Sequence, residues 1–249
     1  MTDYITGARG FIGRRLHLSI PKALPIYHHD ITTLHHPLCD KFFFLSTYGN
    51  MAHHDELGSI FKANVIDVSH VLKKCIPRLF VFISSSSVTL PVQTPYSIAK
   101  HCAEHLIRDS EIQYLIIRPY SVTGVGEQKE HLIPKLIDSC LYGTRMDFVP
   151  DPVHDFIDVE DVVDGIMALV NGKRVGTYEL GSGMAYSNAD ILKIVEDTCQ
   201  SKANIQIRKS MRSYDSTEWY CKSRGWGWSA KKTIFESIRE MVDHAKSTR

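Results

Sequence analysis

Apolar residues along this chain fall into two rhythms. One is a set of short, unbroken runs of strand length: Tyr4-Ile5-Thr6, Ala23 to Tyr27, Asp40 to Ser46, Leu79 to Ile83 and Tyr114 to Pro119. Runs without polar alternation suit strands buried on both faces of a parallel sheet. The other recurs every three to four residues, as helices do. It covers Arg14 to Leu18, Leu57 to Cys75 (through Ile60, Phe61, Val65, Val68, Val71 and Leu72), and Tyr96 to Arg108. Strands alternating with helices predict an α/β fold with a doubly wound parallel sheet. Only nine residues lie between Asp30 and the run at Asp40–Ser46, too few for a whole α/β unit. One unit is therefore expected to be reduced.

Past Pro119 the pattern loosens. His131 to Cys140 is amphipathic, and Met146 to Val149 reads as a short strand. Asp158 to Val170 reads as a helix whose Asp158, Glu160 and Asp161 suit the positive end of its dipole. Tyr178-Glu179-Leu180 is a strand before Gly181-Ser182-Gly183. Asn188 reads as the cap of a helix over Ala189–Cys199. Ile205–Ile207 is expected as a last strand and Thr233–Ala245 as a last helix. The chain divides into a core over 1–118 and a second portion over 119–249, interleaved with the core, not independent of it and packed over the sheet's ligand edge.

Three stretches carry candidate chemistry. Gly7-Ala8-Arg9-Gly10-Phe11-Ile12-Gly13 joins the first strand to the first helix. Glycines there allow a tight turn, close approach of backbone to a pyrophosphate and close helix–strand packing, and the helix start offers free N–H groups. A purely structural turn is the alternative. Asp30, near the end of the second strand, is placed to accept from the adenosine ribose hydroxyls and to repel the extra phosphate of NADP. In Thr94-Pro95-Tyr96-Ser97-Ile98-Ala99-Lys100, Pro95 suits a first helical turn, and Tyr96 and Lys100 share a helix face. An ammonium so close would lower the tyrosine's pKa and ready it for acid/base work. By themselves the two residues are better explained as an ordinary surface tyrosine and lysine. Ser84-Ser85-Ser86-Ser87 follows a buried strand, where such sheets bind ligands.

Composition narrows the field. The chain has 249 residues, 29 basic and 28 acidic, with a net charge of +1. That leaves no electrostatic footprint for nucleic acid or an anionic membrane. No apolar run is long enough to cross a bilayer, and the first residues lack the basic stretch and apolar core of a secretion signal. The six scattered cysteines, without a CxxC pair, read as reduced thiols of a cytoplasmic protein. Of the thirteen histidines, the pairs His28-His29, His35-His36 and His53-His54 have no carboxylate or cysteine at ligand spacing, so no metal site is expected.

In this order the motifs resemble the extended short-chain dehydrogenase/reductases, and within them the NAD-dependent epimerase/dehydratase branch acting on nucleotide sugars. The resemblance is carried by Thr6–Gly13, Phe82–Val88, Tyr96–Lys100, Arg118–Gly124, His154–Val163 and Tyr178–Gly183, with a weaker match at Gly227–Thr233. It implies a Rossmann-type core with a small C-terminal substrate-binding cap, and NAD rather than NADP as cofactor. It implies that Tyr96 exchanges a proton with a substrate hydroxyl, that Lys100 holds the nicotinamide ribose, and that Ser85 bonds the reacting oxygen. Gly7, Arg9, Gly10, Phe11, Ile12, Gly13, Asp30, Leu45, Ser46, Ser84, Tyr96, Lys100 and Pro119 would line the cofactor. Ser86, Ser121 and His154 would meet the substrate. A homodimer is implied through the helices near 57–75 and 96–108, with His101, Cys102 and His105 near its seam.

The chain also departs from that pattern. Dehydratases of the family carry Asp-Glu where Ser86 and Ser87 stand here, which counts against their chemistry and leaves epimerase, oxidoreductase or decarboxylase. His154 replaces the family's phosphate-binding arginine and lacks its bidentate fork. Ser121 and Thr89 stand where asparagine and tyrosine are usual, and the segment from Ser85 to Tyr96 is short. The expected activity is epimerisation of a nucleotide sugar through a keto intermediate. The alternatives are a reductase or dehydrogenase on another carbonyl or sugar substrate, and a dinucleotide-binding protein without catalysis.

Overall fold

The structure is a computed structural model that describes residues 1–34, 38–50, 54, 56–209, 218–222 and 225–248. His35, His36 and His53 of the histidine pairs lie outside the described residues. In chain order the elements begin with β1 (Tyr4–Thr6), α1 (Phe11–Ser19), β2 (Leu24–Ile26), a 3₁₀ turn (His28–Thr33) and β3 (Leu38–Phe44). Next come α2 (Leu57–Phe61), a π-turn (Lys62–Ile66), α3 (Asp67–Lys74), β4 (Ile76–Ile83), a 3₁₀ turn (Ser86–Thr89), α4 (Pro95–Arg108) and β5 (Tyr114–Pro119). The remainder is β6 (Ser121–Thr123), α5 (Leu132–Tyr142), β7 (Met146–Phe148), β8 (Val153–Asp158), α6 (Val159–Asn171), β9 (Gly176–Leu180), β10 (Ala185–Ser187), α7 (Asn188–Cys199), β11 (Ile205–Ile207), β12 (Glu218–Trp219) and α8 (Ile234–Ser247).

Two compact units result: Met1–Pro119 with Ile166–Glu179, and Tyr120–Gly165 with Leu180–Arg249. The main sheet has six strands in the order β2-β1-β3-β4-β5-β9. It is parallel from β2 to β5, with Tyr4 facing Leu24 on one side and Phe42 on the other. The unbroken apolar runs explain its centre. Phe42, Phe43, Phe44, Phe80 and Phe82 are fully buried, and Phe42 stacks on its cross-strand partner Phe80 at 5.8 Å. Each such ring contributes about 1.5–3 kcal/mol by leaving water. Helices cover the sheet with residues such as Val68, Val71, Ala103 and Ile107.

Between β2 and β3 the described residues form only the 3₁₀ turn, so the chain passes from one side of β1 to the other without a strand and helix of its own. The turn corrects the expectation for Asp30. β2 stops at Ile26, and Asp30 stands four residues on, its N–H donating to the Tyr27 carbonyl and its carboxylate 3.3 Å from the His29 ring. The helix expected over Leu57–Cys75 runs from Leu57 to Lys74 and contains the π-turn.

In the second unit β6, β10 and β12 pair with β8, and β11 pairs with β7. Its core joins Ile133, Leu136, Phe148, Phe156, Ile191, Val195, Ile238 and Met241. Ser187, not Asn188, caps α7, exchanging hydrogen bonds with Asp190; Asn188 instead reaches the Val149 carbonyl at 2.8 Å. Asp158 caps α6 through the Glu160 N–H.

Candidate active site

The glycine turn is shaped for close approach. Gly7 has φ +68°, and a Cβ there would lie 2.8 Å from the Leu45 carbonyl carbon and 2.9 Å from the Ser46 nitrogen. A Cβ on Gly13 would lie 2.0 Å from the Gly7 carbonyl oxygen. No side chain larger than hydrogen fits these two positions. Gly10 caps α1 without any side-chain acceptor, and the first turn of α1 has no acidic residue. Its N–H groups are thus left for a phosphate, and the donor set fits a dinucleotide pyrophosphate. The Leu45 and Ser46 N–H groups both donate to the Thr6 hydroxyl, which holds the end of β3 against the turn. At the end of β2, where an acidic residue is expected, stands Tyr27 under the Arg9 guanidinium, 4.5 Å from its ring centre.

Thr94 and Ser97 form a capping box that starts α4, with Pro95 in the first turn, and this seats Tyr96 at the carboxyl edge of the sheet. Tyr96 is partly exposed, and its hydroxyl lies near those of Thr47 and Ser85. Ser85 follows β4 and is held in turn, accepting from the Ser87 N–H at 3.1 Å and lying 2.8 Å from the Ser87 hydroxyl. Ser85, Tyr96 and Lys100 are thus brought to one place.

The electrostatics differ from the expectation drawn from spacing. Burial pushes the Tyr96 hydroxyl above its usual value, and the hydrogen bonds with Thr47 and Ser85 only oppose that rise. Lys100 does share the helix face, but its ammonium turns to the Ile83 carbonyl at 2.9 Å and to the Phe82 ring, 5.9 Å from the Tyr96 ring centre. It is only 1% exposed. Burial lowers its pKa to about 7, against the partial support of Glu104. In both groups desolvation is the largest cause, and neither owes its shift to the other. As held here Tyr96 is a phenol, the state that donates a proton.

Of the other expected cofactor contacts, Ser84 is buried and its hydroxyl donates to Glu104 at 2.6 Å. Ser86 is fully buried with its hydroxyl on the Pro119 carbonyl at 2.9 Å. That turns Ser86 away from the substrate contact expected of it; it ties β4 to β5 instead. Ser121 starts β6 opposite Phe156. His154 lies on β8 with its ring 5.7 Å from Trp219 and 5.8 Å from Phe156. Both belong to the second unit, whereas the glycine turn and the Tyr96 cluster belong to the first.

Three residues of the cluster are absent from the sequence reading. Thr47, near the Tyr96 hydroxyl, donates its own hydroxyl to Asn64 of the π-turn at 2.8 Å. Glu104, one turn beyond Lys100, is fully buried and binds Arg118 through both oxygens at 2.9 and 2.6 Å, Arg108 at 2.7 Å and Ser84. Burial raises its pKa, but these bonds win and hold the carboxyl below the usual range. The four-residue spacing from Lys100 to Glu104 was its signal. Nothing at sequence level singles out Thr47. Among the described residues no cluster of three or more metal-ligating side chains forms, and no helix is long and apolar enough to cross a membrane.

A phosphate-shaped glycine turn and a serine–tyrosine–lysine cluster on one parallel sheet define a dinucleotide-dependent enzyme class. Residues 51–181, just over half of the chain, match the family model for the NAD dependent epimerase/dehydratase family, and the chain belongs to that family. A curated relative, GDP-6-deoxy-D-talose 4-dehydrogenase of Aggregatibacter actinomycetemcomitans, is 28% identical over 136 residues, 53% of this chain. The match covers 46% of that protein, so the chain spans under half of its length. UDP-glucuronic acid 4-epimerase from Bacillus cereus, solved with UDP-glucuronic acid and NAD, shares the fold with a TM-score of 0.87 at 18% identity over both whole chains. UDP-glucose 4-epimerase from Thermotoga maritima, solved with UDP-glucose, gives 0.85 at 19% identity, covering 100% of this chain and 99% of that one. NAD is the cofactor of the family, and the glycine turn fits it.

Proposed function

We propose that this protein is an NAD-dependent epimerase of a nucleotide sugar, with Tyr96 as its acid/base. The observation that carries this reading is the meeting of Ser85, just after β4, with Tyr96 and Lys100 on the first turns of α4. Bound NAD would take a hydride from the sugar carbon and return it. The side chains do the rest. As phenolate, Tyr96 takes the proton of the sugar hydroxyl while the ketone forms, and as phenol it gives that proton back when the alcohol is remade. Ser85 hydrogen-bonds the reacting oxygen, and the glycine turn and Lys100 fix the dinucleotide. Return of hydride to the opposite face of the keto sugar inverts the centre. Ser86 and Ser87 supply no acid for a leaving hydroxyl, which supports epimerisation over dehydration.

A second reading, a dehydrogenase or reductase on a sugar or other carbonyl substrate, draws support from the relative named a 4-dehydrogenase. One experiment separates the two. The purified protein is assayed for co-purifying NAD by mass spectrometry, then screened against nucleotide sugars without added cofactor. Epimer formation supports the first reading and stoichiometric NADH the second. Unchanged turnover in Tyr96→Phe would refute the role of Tyr96 in either.

The same reading includes a homodimer through α2–α3 and α4. Leu57, Ile66, Ile98 and Leu106 are exposed there, and His101 and His105 present neighbouring rings on α4. Leu106→Glu should shift the sedimentation coefficient from dimer to monomer; a variant sedimenting as the wild type does would reject this face. The six free thiols fit a reducing, cytoplasmic location.

A further inference from the structure

We propose that the adenosine end of the cofactor site admits the 2′-phosphate of NADP, with Arg9 as the residue that receives it, so that the protein takes NADP beside NAD. The proposal rests on the reading of the glycine turn as the seat of a dinucleotide.

NADP differs from NAD by a phosphate monoester on the adenosine 2′-oxygen. Such a group carries a charge of about −1.5 to −2 near pH 7 and strong acceptor oxygens. In sheets of this kind a carboxylate near the end of the second strand binds the free ribose hydroxyls and refuses the phosphate, whereas an arginine nearby accommodates it. In this protein β1 and β2 run in register, with Thr6 beside Ile26. Gly7 follows Thr6 and Tyr27 follows Ile26, so the residue at the strand's end stands next to the glycine turn. Tyr27 is exposed and uncharged.

The acid that sequence spacing puts there lies further on. Asp30 sits within the 3₁₀ turn, its carboxylate 3.3 Å from the His29 ring. His29 in turn lies parallel to the Tyr27 ring at 6.0 Å. The carboxylate is therefore taken up inside the turn, and no acid stands at the strand's end to refuse a phosphate. The first turn of α1 adds none.

A cation stands there instead. Arg9 belongs to the glycine turn itself and is exposed. Its guanidinium lies 4.5 Å from the centre of the Tyr27 ring, and its Nη2 donates to the Tyr27 hydroxyl at 3.3 Å. Among the described residues its side-chain contacts are with Tyr27, and no carboxylate neutralises it. A guanidinium carries several N–H donors in a planar fork that matches a phosphate. One donor serves Tyr27, and the others are left for a ligand. The stack on the ring sets the plane of the fork in advance, so less freedom is lost when an anion arrives. Charge-assisted bonds from arginine to phosphate are among the strong ones.

The test is calorimetric titration of the NAD-free full chain with NAD and, separately, with NADP. NADP should bind within about fivefold of NAD, and Arg9→Gln should lose at least about tenfold more affinity for NADP than for NAD, as expected when a paired charged partner is removed. NADP binding more than about fivefold weaker than NAD to the wild type, or Arg9→Gln weakening both dinucleotides alike, would overturn the proposal. Arg9 is exposed, so the substitution leaves the core in place, and residual NAD binding by the variant shows that the site has formed. A wild type that binds NAD and refuses NADP sinks this proposal alone. A wild type that binds neither sinks the dinucleotide reading of the glycine turn, and this proposal with it.

Discussion

Replacing Lys100 with methionine should abolish turnover and at the same time make the cofactor-free fold more stable below neutral pH. Lys100 is buried, and its pKa falls from 10.5 to about 7. A fall of that size corresponds to roughly 5 kcal/mol of charging penalty in the folded state. Below about pH 7 the lysine is charged in both folded and unfolded chains, and the whole penalty applies. Between about 7 and 10.5 the unfolded chain keeps a proton that the folded one has lost, so stability rises with pH, by roughly 1.4 kcal/mol per unit. Above 10.5 the effect is gone. Methionine fills a similar volume without charge, but it leaves the Ile83 carbonyl without the ammonium that it accepts from. Leaving that acceptor unmade costs about 1–3 kcal/mol. The expected net gain for Lys100→Met is about 2–4 kcal/mol near pH 6, shrinking through pH 7.5 and reversing near pH 10. Urea unfolding of the NAD-free protein at these pH values measures it. A variant less stable than the wild type near pH 6, or a difference that does not change with pH, would show that the ammonium is not penalised as argued.

Two further substitutions test neighbouring parts of the first unit. Glu104→Gln leaves Arg118 and Arg108 without their carboxylate and removes the charge that supports the Lys100 ammonium; unfolding should be easier by about 3–5 kcal/mol, and a Lys100 titration followed by lysine-labelled NMR should move below about 7. Because the Glu104 carboxyl is held below its usual range, its stabilisation is present above the unfolded pKa and fades as pH falls, so the gap between wild type and variant should close in acid. Gly13→Ala forces a Cβ to within 2.0 Å of the Gly7 carbonyl oxygen; NAD titrated by calorimetry should bind at least tenfold more weakly or not at all, and wild-type affinity would show that the turn does not hold the pyrophosphate.

Much of this protein is determined by local sequence. Unbroken runs such as Phe42-Phe43-Phe44 and Phe80-Val81-Phe82 can be satisfied only inside a sheet covered on both faces, so the parallel α/β class follows from them. Gly7 and Gly13 mark the phosphate turn because a Cβ fits at neither. Thr94, Pro95 and Ser97 start α4 by bonds within four residues, which fixes Tyr96 and Lys100 on one face before any tertiary contact forms. The tertiary structure decided what distant partners decide. It ended β2 at Ile26 and left Asp30 in a turn, where spacing alone put it beside the strand. It sent the Lys100 ammonium to the Ile83 carbonyl and, through desolvation, raised the tyrosine's pKa where proximity on a helix predicted a fall. It spent the Ser84 and Ser86 hydroxyls on Glu104 and Pro119, residues 20 and 33 positions away, leaving Ser85 of the serine run with Tyr96. It also brought Thr47 near that tyrosine and bonded it to Asn64 of the π-turn. A motif names the groups that do chemistry; their charge, protons and partners depend on burial and on hydrogen bonds between elements far apart in the chain, and those exist only once the sheet is assembled.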